Sequence, residues 1–368
     1  MHSLAATSPL EIEWGKGIEL GRGTYARMHR LADGRFMVAY QSGDGVVARF
    51  AGPGNLRVWS EPVQVAADFT KDAGGCAPPT SPEITVHLAN AEFAQLESGR
   101  IIYACNLRPD GQRHDIHPYA IATTTSDDGG KTWSPLKTVY RAEVKLAPDG
   151  QHHGCYEPFI LPLGRNKAQL YFADESPYEA AGCAWQNITF VETTDGGRTW
   201  SKPRIAAYTP QCRDGMPSLL ELGKWRYLAL ESNPGLTHLH PQIVKCRRGA
   251  GWDGAMRFEP FSPPPDWRTV YAGAPYIAAT ENYVLLSWQE VRPSSTNGAI
   301  KTAARVAAVP KSEILPDGTW PAMHGAATPP ETGGMLWNSL CTLGGDCFML
   351  VSEVEGRIMA YPGRIAET

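Results

Sequence analysis

Apolar and polar positions alternate along this chain in short runs, each closed by glycine, asparagine, aspartate or proline. A period of two marks strands that turn one face to a core. The clearest case lies between Met28 and Tyr40, where two apolar runs flank Ala32-Asp33-Gly34 and read as a hairpin. The same strand–turn–strand unit returns around 93–105, 158–173, 217–231, 275–289 and 339–353, at intervals of about 55 to 65 residues. That interval fits one four-stranded blade with long loops. The pattern therefore predicts an all-β, six-bladed β-propeller, a single domain over residues 1–368, with each copy supplying the two inner strands of a blade. After the sixth copy only 356–360 remains as a clear strand, so the early strand 11–20 is expected to complete that blade and close the ring. Helical periodicity is nearly absent.

A second repeat sits on the outer strands. Residues 121–134 and 190–201 each run from a β-rich stretch into Asp-Gly-Gly and then Thr-Trp, with Asp128 and Asp195 in matching places. Aspartate caps the turn backbone, glycine takes the φ > 0 positions, and Trp133 or Trp200 packs back over the hairpin. This is the Asp-box pattern S/T-x-D-x-G-x-T-W. Its residues are read as structural, away from the channel.

Composition narrows the partners. A net charge of -4 without any basic block argues against nucleic acid, and a neutral carbohydrate suits the balance better. No run reaches the roughly 18 apolar residues of a membrane span, and a monomer is expected. Met1–Gly17 lacks the charged segment and apolar run of a signal peptide, which leaves the compartment undecided. The eight cysteines show no CxxC pair and are read mainly as small buried hydrophobes. His114-Asp115-Ile116-His117 is a loose metal-like cluster without a third ligand nearby, so a solvated loop is expected there. No metal or organic cofactor is implied.

Polar residues bracketing the inner hairpins are the candidate chemistry, because the innermost strands of a propeller line its channel. They include Arg27 and His29, Glu92, Glu157, Arg213, Asp214, Glu231, Gln289, Glu290, Trp337 and Asn338. Glu157 opens the first strand of blade three in Tyr156-Glu157-Pro158, and Glu231 ends the second strand of blade four. Antiparallel pairing puts both at one rim on adjacent blades. Two opposed carboxyls are what glycoside hydrolysis needs, one to protonate the leaving oxygen and one to attack or to activate water.

The Asp boxes and six hairpins resemble the sialidase superfamily over nearly the whole chain. Tyr25-Ala26-Arg27-Met28-His29-Arg30-Leu31 looks like its Y-R-I-P-x-L segment, which places Arg27 on the first arginine of a carboxylate-binding triad. The other two arginines are missing, at Glu231 and in Ala272-Gly273-Ala274-Pro275, and Trp337 stands where the tyrosine nucleophile is expected. Sialidase activity is therefore not expected. The pattern is more similar to the propeller exo-1,5-α-L-arabinofuranosidases. That resemblance implies two catalytic glutamates, Glu157 and Glu231, 74 residues apart, and a retaining mechanism with carboxyls about 5–5.5 Å apart. The roles within the pair stay open, with Glu231 as acid/base and Glu157 as nucleophile taken as the working assignment. Arg27, His29, Tyr156, Arg213, Asp214 and Trp337 are the expected wall residues, since aromatic faces and a few polar groups compose a sugar site. The expected substrate is an α-1,5-linked arabinan or related furanoside chain. Loops 65–90 and 145–154 would rebuild the substrate end for a different glycan. The competing class is a non-catalytic carbohydrate-binding propeller, which needs no opposed acids.

Overall fold

The computed structural model describes residues 11–71, 83–112, 117–143, 154–181, 185–260, 270–293, 300–330 and 334–366. These form six small antiparallel sheets, five of them assembled from strands consecutive in sequence. The first strands of neighbouring sheets contact one another in a closed cycle, so the sheets are the blades of a six-bladed propeller. Innermost strands, in order, are Thr24–Arg30, Ile84–Gln95, Cys155–Pro162, Gly215–Leu222, Tyr271–Ala279 and Met335–Gly344.

Blade six closes the ring as the alternation predicts. Its three C-terminal strands end in Arg357–Ile365, and Ile12–Trp14 and Ile18–Arg22 from the start of the chain pair along that last strand. A closed ring leaves no long free sheet edge at the seam. Core side chains sit between blades: Tyr171, Phe190, Leu228 and Leu285 belong to one buried cluster, and Met37, Phe93 and Tyr103 to another.

The stretch 65–90, expected to be loop, is largely strand where it is described. Val63–Ala67 and Phe69–Lys71 precede the long strand Ile84–Gln95. Ile84, Val86 and Leu88 point inward and are buried, while Thr85 and His87 between them are not, and that polar half masked the strand. Residues 145–153, His114 to Ile116, Cys76 and Cys183 lie outside the described residues. His117 packs edge-on against Phe69 and is bonded to the Pro118 carbonyl. Among the described residues six cysteines are unbridged, and five of them are buried.

Both Asp boxes join the third and fourth strands of blades two and three. Asp128 Oδ1 accepts the N–H groups of Lys131 and Thr132 at 3.0 Å, and Asp195 Oδ1 accepts that of Thr199 at 2.9 Å. The Trp133 ring meets Tyr103 edge-on at 5.7 Å, which locks the turn onto the inner sheet. The fourth strands begin at Lys137 and Arg204, a few residues after the tryptophans.

Candidate active site

Every innermost strand carries the same defect. Pairing with the second strand slips by one residue between Thr24 and Arg27, and likewise at 89–92, 156–159, 215–218, 273–276 and 336–339. Each slip is a β-bulge that holds one non-glycine residue at positive φ: Tyr25, Asn90, Glu157, Met216, Ala274 and Trp337, all between 51° and 61°. A left-handed conformation costs an L-residue about 1–2 kcal/mol. Such strain persists only where the surroundings impose it, and it gathers at functional sites. In blades three, four and five the bulge residue precedes proline, which removes a donor where the ladder is broken anyway.

The bulge turns six equivalent side chains toward one end of the channel. Tyr25, Met216, Ala274 and Trp337 pack together as an apolar patch. The two polar members, Asn90 and Glu157, are on adjacent blades.

Three bulge amides are handed to carboxyl or amide oxygens of the preceding blade. Glu231 and Gln289 occupy equivalent ends of the second strands of blades four and five, paired with Gly215 and Gly273. Glu231 Oε2 accepts the Ala274 N–H at 2.7 Å, and Gln289 Oε1 accepts the Trp337 N–H at 3.1 Å. The equivalent residue in blade three is Ala173, which has no acceptor on its side chain. There the bulge residue itself serves: Glu157 Oε2 accepts the Met216 N–H at 2.9 Å. Both glutamates thus reach the Gly215–Met216 segment from opposite sides.

Their environments differ. Burial lifts both carboxyls above the ordinary range, and at Glu157 the Met216 amide, Arg108 and Arg213 oppose the rise without cancelling it. Glu231 is raised to about 7, first by burial and then by the charge of Glu157, with the Ala274 amide and Arg213 opposing. A negative charge on Glu157 favours the protonated form of Glu231. Tyr271 adds a 3.5 Å hydrogen bond to Glu231 Oε2.

The other expected wall residues are dispersed. Tyr156 lies under the Arg108 guanidinium, 5.4 Å from its ring centre, and meets Tyr119 at 5.3 Å. Arg213 pairs with buried Glu175 at 2.7 Å. Trp337 stacks obliquely on Tyr25, with centroids 5.9 Å apart. Arg27 is buried two residues beyond the blade-one bulge; it donates to the Trp337 carbonyl at 3.2 Å and lies 4.0 Å over the Tyr25 ring. Asp214 is fully buried, where it accepts from Ser232 and is gripped by Arg257 through two bonds of 3.0 and 2.6 Å. His29 belongs to the opposite mouth. It contacts Glu92 at 3.3 Å and lines a cavity of about 550 Å³ with Phe93, Phe159 and Leu219. Two further residues bracketing the hairpins have internal partners: Glu290 pairs with Arg305, and Asn338 donates to the Ala274 carbonyl.

Sequence reasoning missed Arg108, Asn90, Glu175 and Tyr271. Arg108, Glu175 and Tyr271 reach the site from second strands, loops or strand starts. Asparagine's tolerance of positive φ was the one available signal for Asn90. No group of three or more potential metal ligands occurs among the described residues, and none of their helices is long and apolar enough to cross a membrane.

No protein-family model matches the sequence, and no curated protein does. Among solved structures the chain resembles a protein of unknown function from Dyadobacter fermentans, with a TM-score of 0.65 and 16 % identity over 96 % of this chain and 99 % of that one. It is also similar to the GH93 α-L-arabinofuranosidase of Fusarium graminearum in complex with arabinobiose, at a TM-score of 0.64 and 16 % identity over 95 % and 98 %. A mutant NanB sialidase from Streptococcus pneumoniae follows at 0.57 and 13 % identity, covering 99 % of this chain and 72 % of that one. The propeller is thus of the sialidase-like kind, a fold it shares with an arabinofuranosidase; at these identities the chemistry rests on the site itself.

Proposed function

We propose that this protein is a retaining, exo-acting glycoside hydrolase of α-1,5-linked L-arabinan or a related furanoside chain. The observation that carries the proposal is the pair of glutamates on adjacent blades, Glu231 buried and Glu157 half-buried, each held by the bulge amide of the next blade and both raised above the ordinary carboxyl range. A sugar-binding scaffold needs no such pair. The neighbouring fold of an arabinofuranosidase solved with arabinobiose supports the choice of sugar.

The hydrogen bonds support a division of roles among the oxygens. Glu231 Oε2 already accepts from the Ala274 N–H and Tyr271 O–H, so the proton of the neutral acid sits on Oε1. Glu157 Oε2 is engaged by the Met216 N–H, which leaves Oε1 as the attacking oxygen. In the first step Glu157 Oε1 bonds to the anomeric carbon as the glycosidic bond breaks, and Glu231 Oε1 gives its proton to the departing oxygen. In the second, Glu231 takes a proton from water as that water displaces Glu157, restoring both groups. Arg108 and Arg213 favour the ionised nucleophile without cancelling the raised acid.

The test is release of arabinose or arabinobiose from debranched linear arabinan, compared with Glu157→Gln and Glu231→Gln. Turnover by the wild type and loss on the order of 10³-fold or more in each variant is expected. Continued turnover in either variant removes that residue from the chemistry. No release by a folded wild type transfers the search to other furanosides, sialosides and uronates.

A further inference from the structure

Of the six equivalent bulge positions, four are apolar and pack on each other, and one is Glu157. The sixth, Asn90, has no role in the chemistry above. It is 93 % buried, its relative exposure being 7 %, and its amide is oriented. An arginine carries only donors, so the Arg108 Nη2–Asn90 bond fixes Oδ1 toward the guanidinium. The planar amide then aims Nδ2 the other way. Nδ2 has no hydrogen-bond acceptor among the described residues, and it is not closed off from solvent.

The support behind Asn90 is itself anchored. Arg108 Nε donates to Asn106 Oδ1, and Asn106 Nδ2 donates to the carbonyls of Ala120 and Cys155. Cys155 lies two residues before Glu157 in the same strand, so one relay ties Asn90 to the backbone that carries the nucleophile. The guanidinium lies over the Tyr156 ring, next to Glu157 in sequence. It spends its fork on two neutral amides, with no carboxylate within ion-pairing distance among the described residues. A donor held this rigidly, at the bulge equivalent to that of Glu157 on the adjacent blade, is placed to meet an acceptor oxygen that the protein does not supply.

We infer that Asn90, held by Arg108, is a substrate-binding residue that donates from Nδ2 to a sugar oxygen next to the carbon Glu157 attacks. The ligand group is a hydroxyl or ring oxygen of the glycone, and Arg108 is the positioning residue. This rests on the glycosidase reading.

The alternative is that asparagine stands here only because it tolerates positive φ. Asn90→Gly separates the two, since glycine adopts that backbone freely and lacks the amide. With linear arabino-oligosaccharides, Asn90→Gly is expected to lose on the order of tenfold or more in kcat/KM, the effect of one hydrogen bond, while remaining folded. Substrates lacking single glycone hydroxyls sharpen the test. One of them should lose a similar factor with the wild type and nothing further with Asn90→Gly. Asn90→Asp keeps the oxygen toward Arg108 and removes the donor, so it should also lose activity while unfolding no earlier than the wild type. Values of kcat/KM within twofold of wild type in both variants, or full additivity with every deoxy substrate, would overturn the inference. A wild type inactive on arabinan instead sinks the proposed substrate. The comparison then moves to binding of a mono- and disaccharide panel by saturation-transfer NMR, where Asn90→Gly must weaken whichever sugar the wild type holds, and equal binding overturns the inference.

Discussion

The outer Asp-box turns and the inner ring of bulges solve one problem with one device. In each, a carboxylate accepts a backbone N–H that the sheet leaves unpaired: Asp128 and Asp195 on the rim, Glu157 and Glu231 at the channel. Their acidities move in opposite directions. Asp128 falls below the ordinary range, led by its bond from the Thr132 hydroxyl. Asp195 pays a desolvation cost, yet the Thr199 hydroxyl and amide still bring it to about 2. At the channel the amide bonds are similar, but burial outweighs them and Glu231 rises to about 7. The difference teaches that hydrogen bonds to a carboxylate set structure in water and reactivity out of it. Desolvation decides which.

Three changes break or sharpen that comparison. The largest effect is expected from Gly273→Ala. A methyl group there runs into Glu231 Oε2 and the Tyr271 hydroxyl, so the carboxyl must swing off its amide. Loss of about 10²-fold in kcat with the fold retained is predicted, read by turnover beside circular dichroism. A gentler effect tests linkage. Glu231 binds its proton more tightly folded than unfolded, so its contribution to stability is fully present below the unfolded value near 4.5 and is lost as pH rises through about 7. Glu231→Gln should therefore raise Tm relative to wild type at pH 8, by roughly 2–4 °C, with the gain shrinking toward pH 5. The smallest effect belongs to the rim. Asp195→Ala should lower Tm by about 1–2 °C and leave kcat/KM unchanged, as calorimetry and turnover would show.

Much of this was legible in the residues. Alternation gave the six hairpins and the seam, and the Asp boxes showed their turn chemistry directly. The placement of Glu157 and Glu231 on adjacent blades followed from strand direction. The bulge ring did not, because Tyr25, Asn90, Glu157, Met216, Ala274 and Trp337 share no side-chain type and include no glycine. Only proline after three of them hints at a broken ladder. Arg213 and Asp214 are neighbours in sequence, but one pairs with Glu175 at the site and the other is sealed against Arg257. His29 is two residues from Arg27, yet it opens on the other mouth because its strand runs through the channel wall. Position along a strand, rather than proximity in sequence, decided which polar residues share the end of the channel that carries the glutamate pair.

The most direct measurement is a carboxyl ¹³C NMR titration of the glutamates and aspartates, with Glu157, Glu231, Asp128 and Asp195 assigned from single Glu→Gln and Asp→Asn variants. The account predicts Glu231 titrating near 7, falling when Glu157→Gln removes its charge, while Asp128 and Asp195 titrate below the usual carboxylate range. A Glu231 that titrates in the ordinary range near 4.5, indifferent to Glu157→Gln, would contradict it.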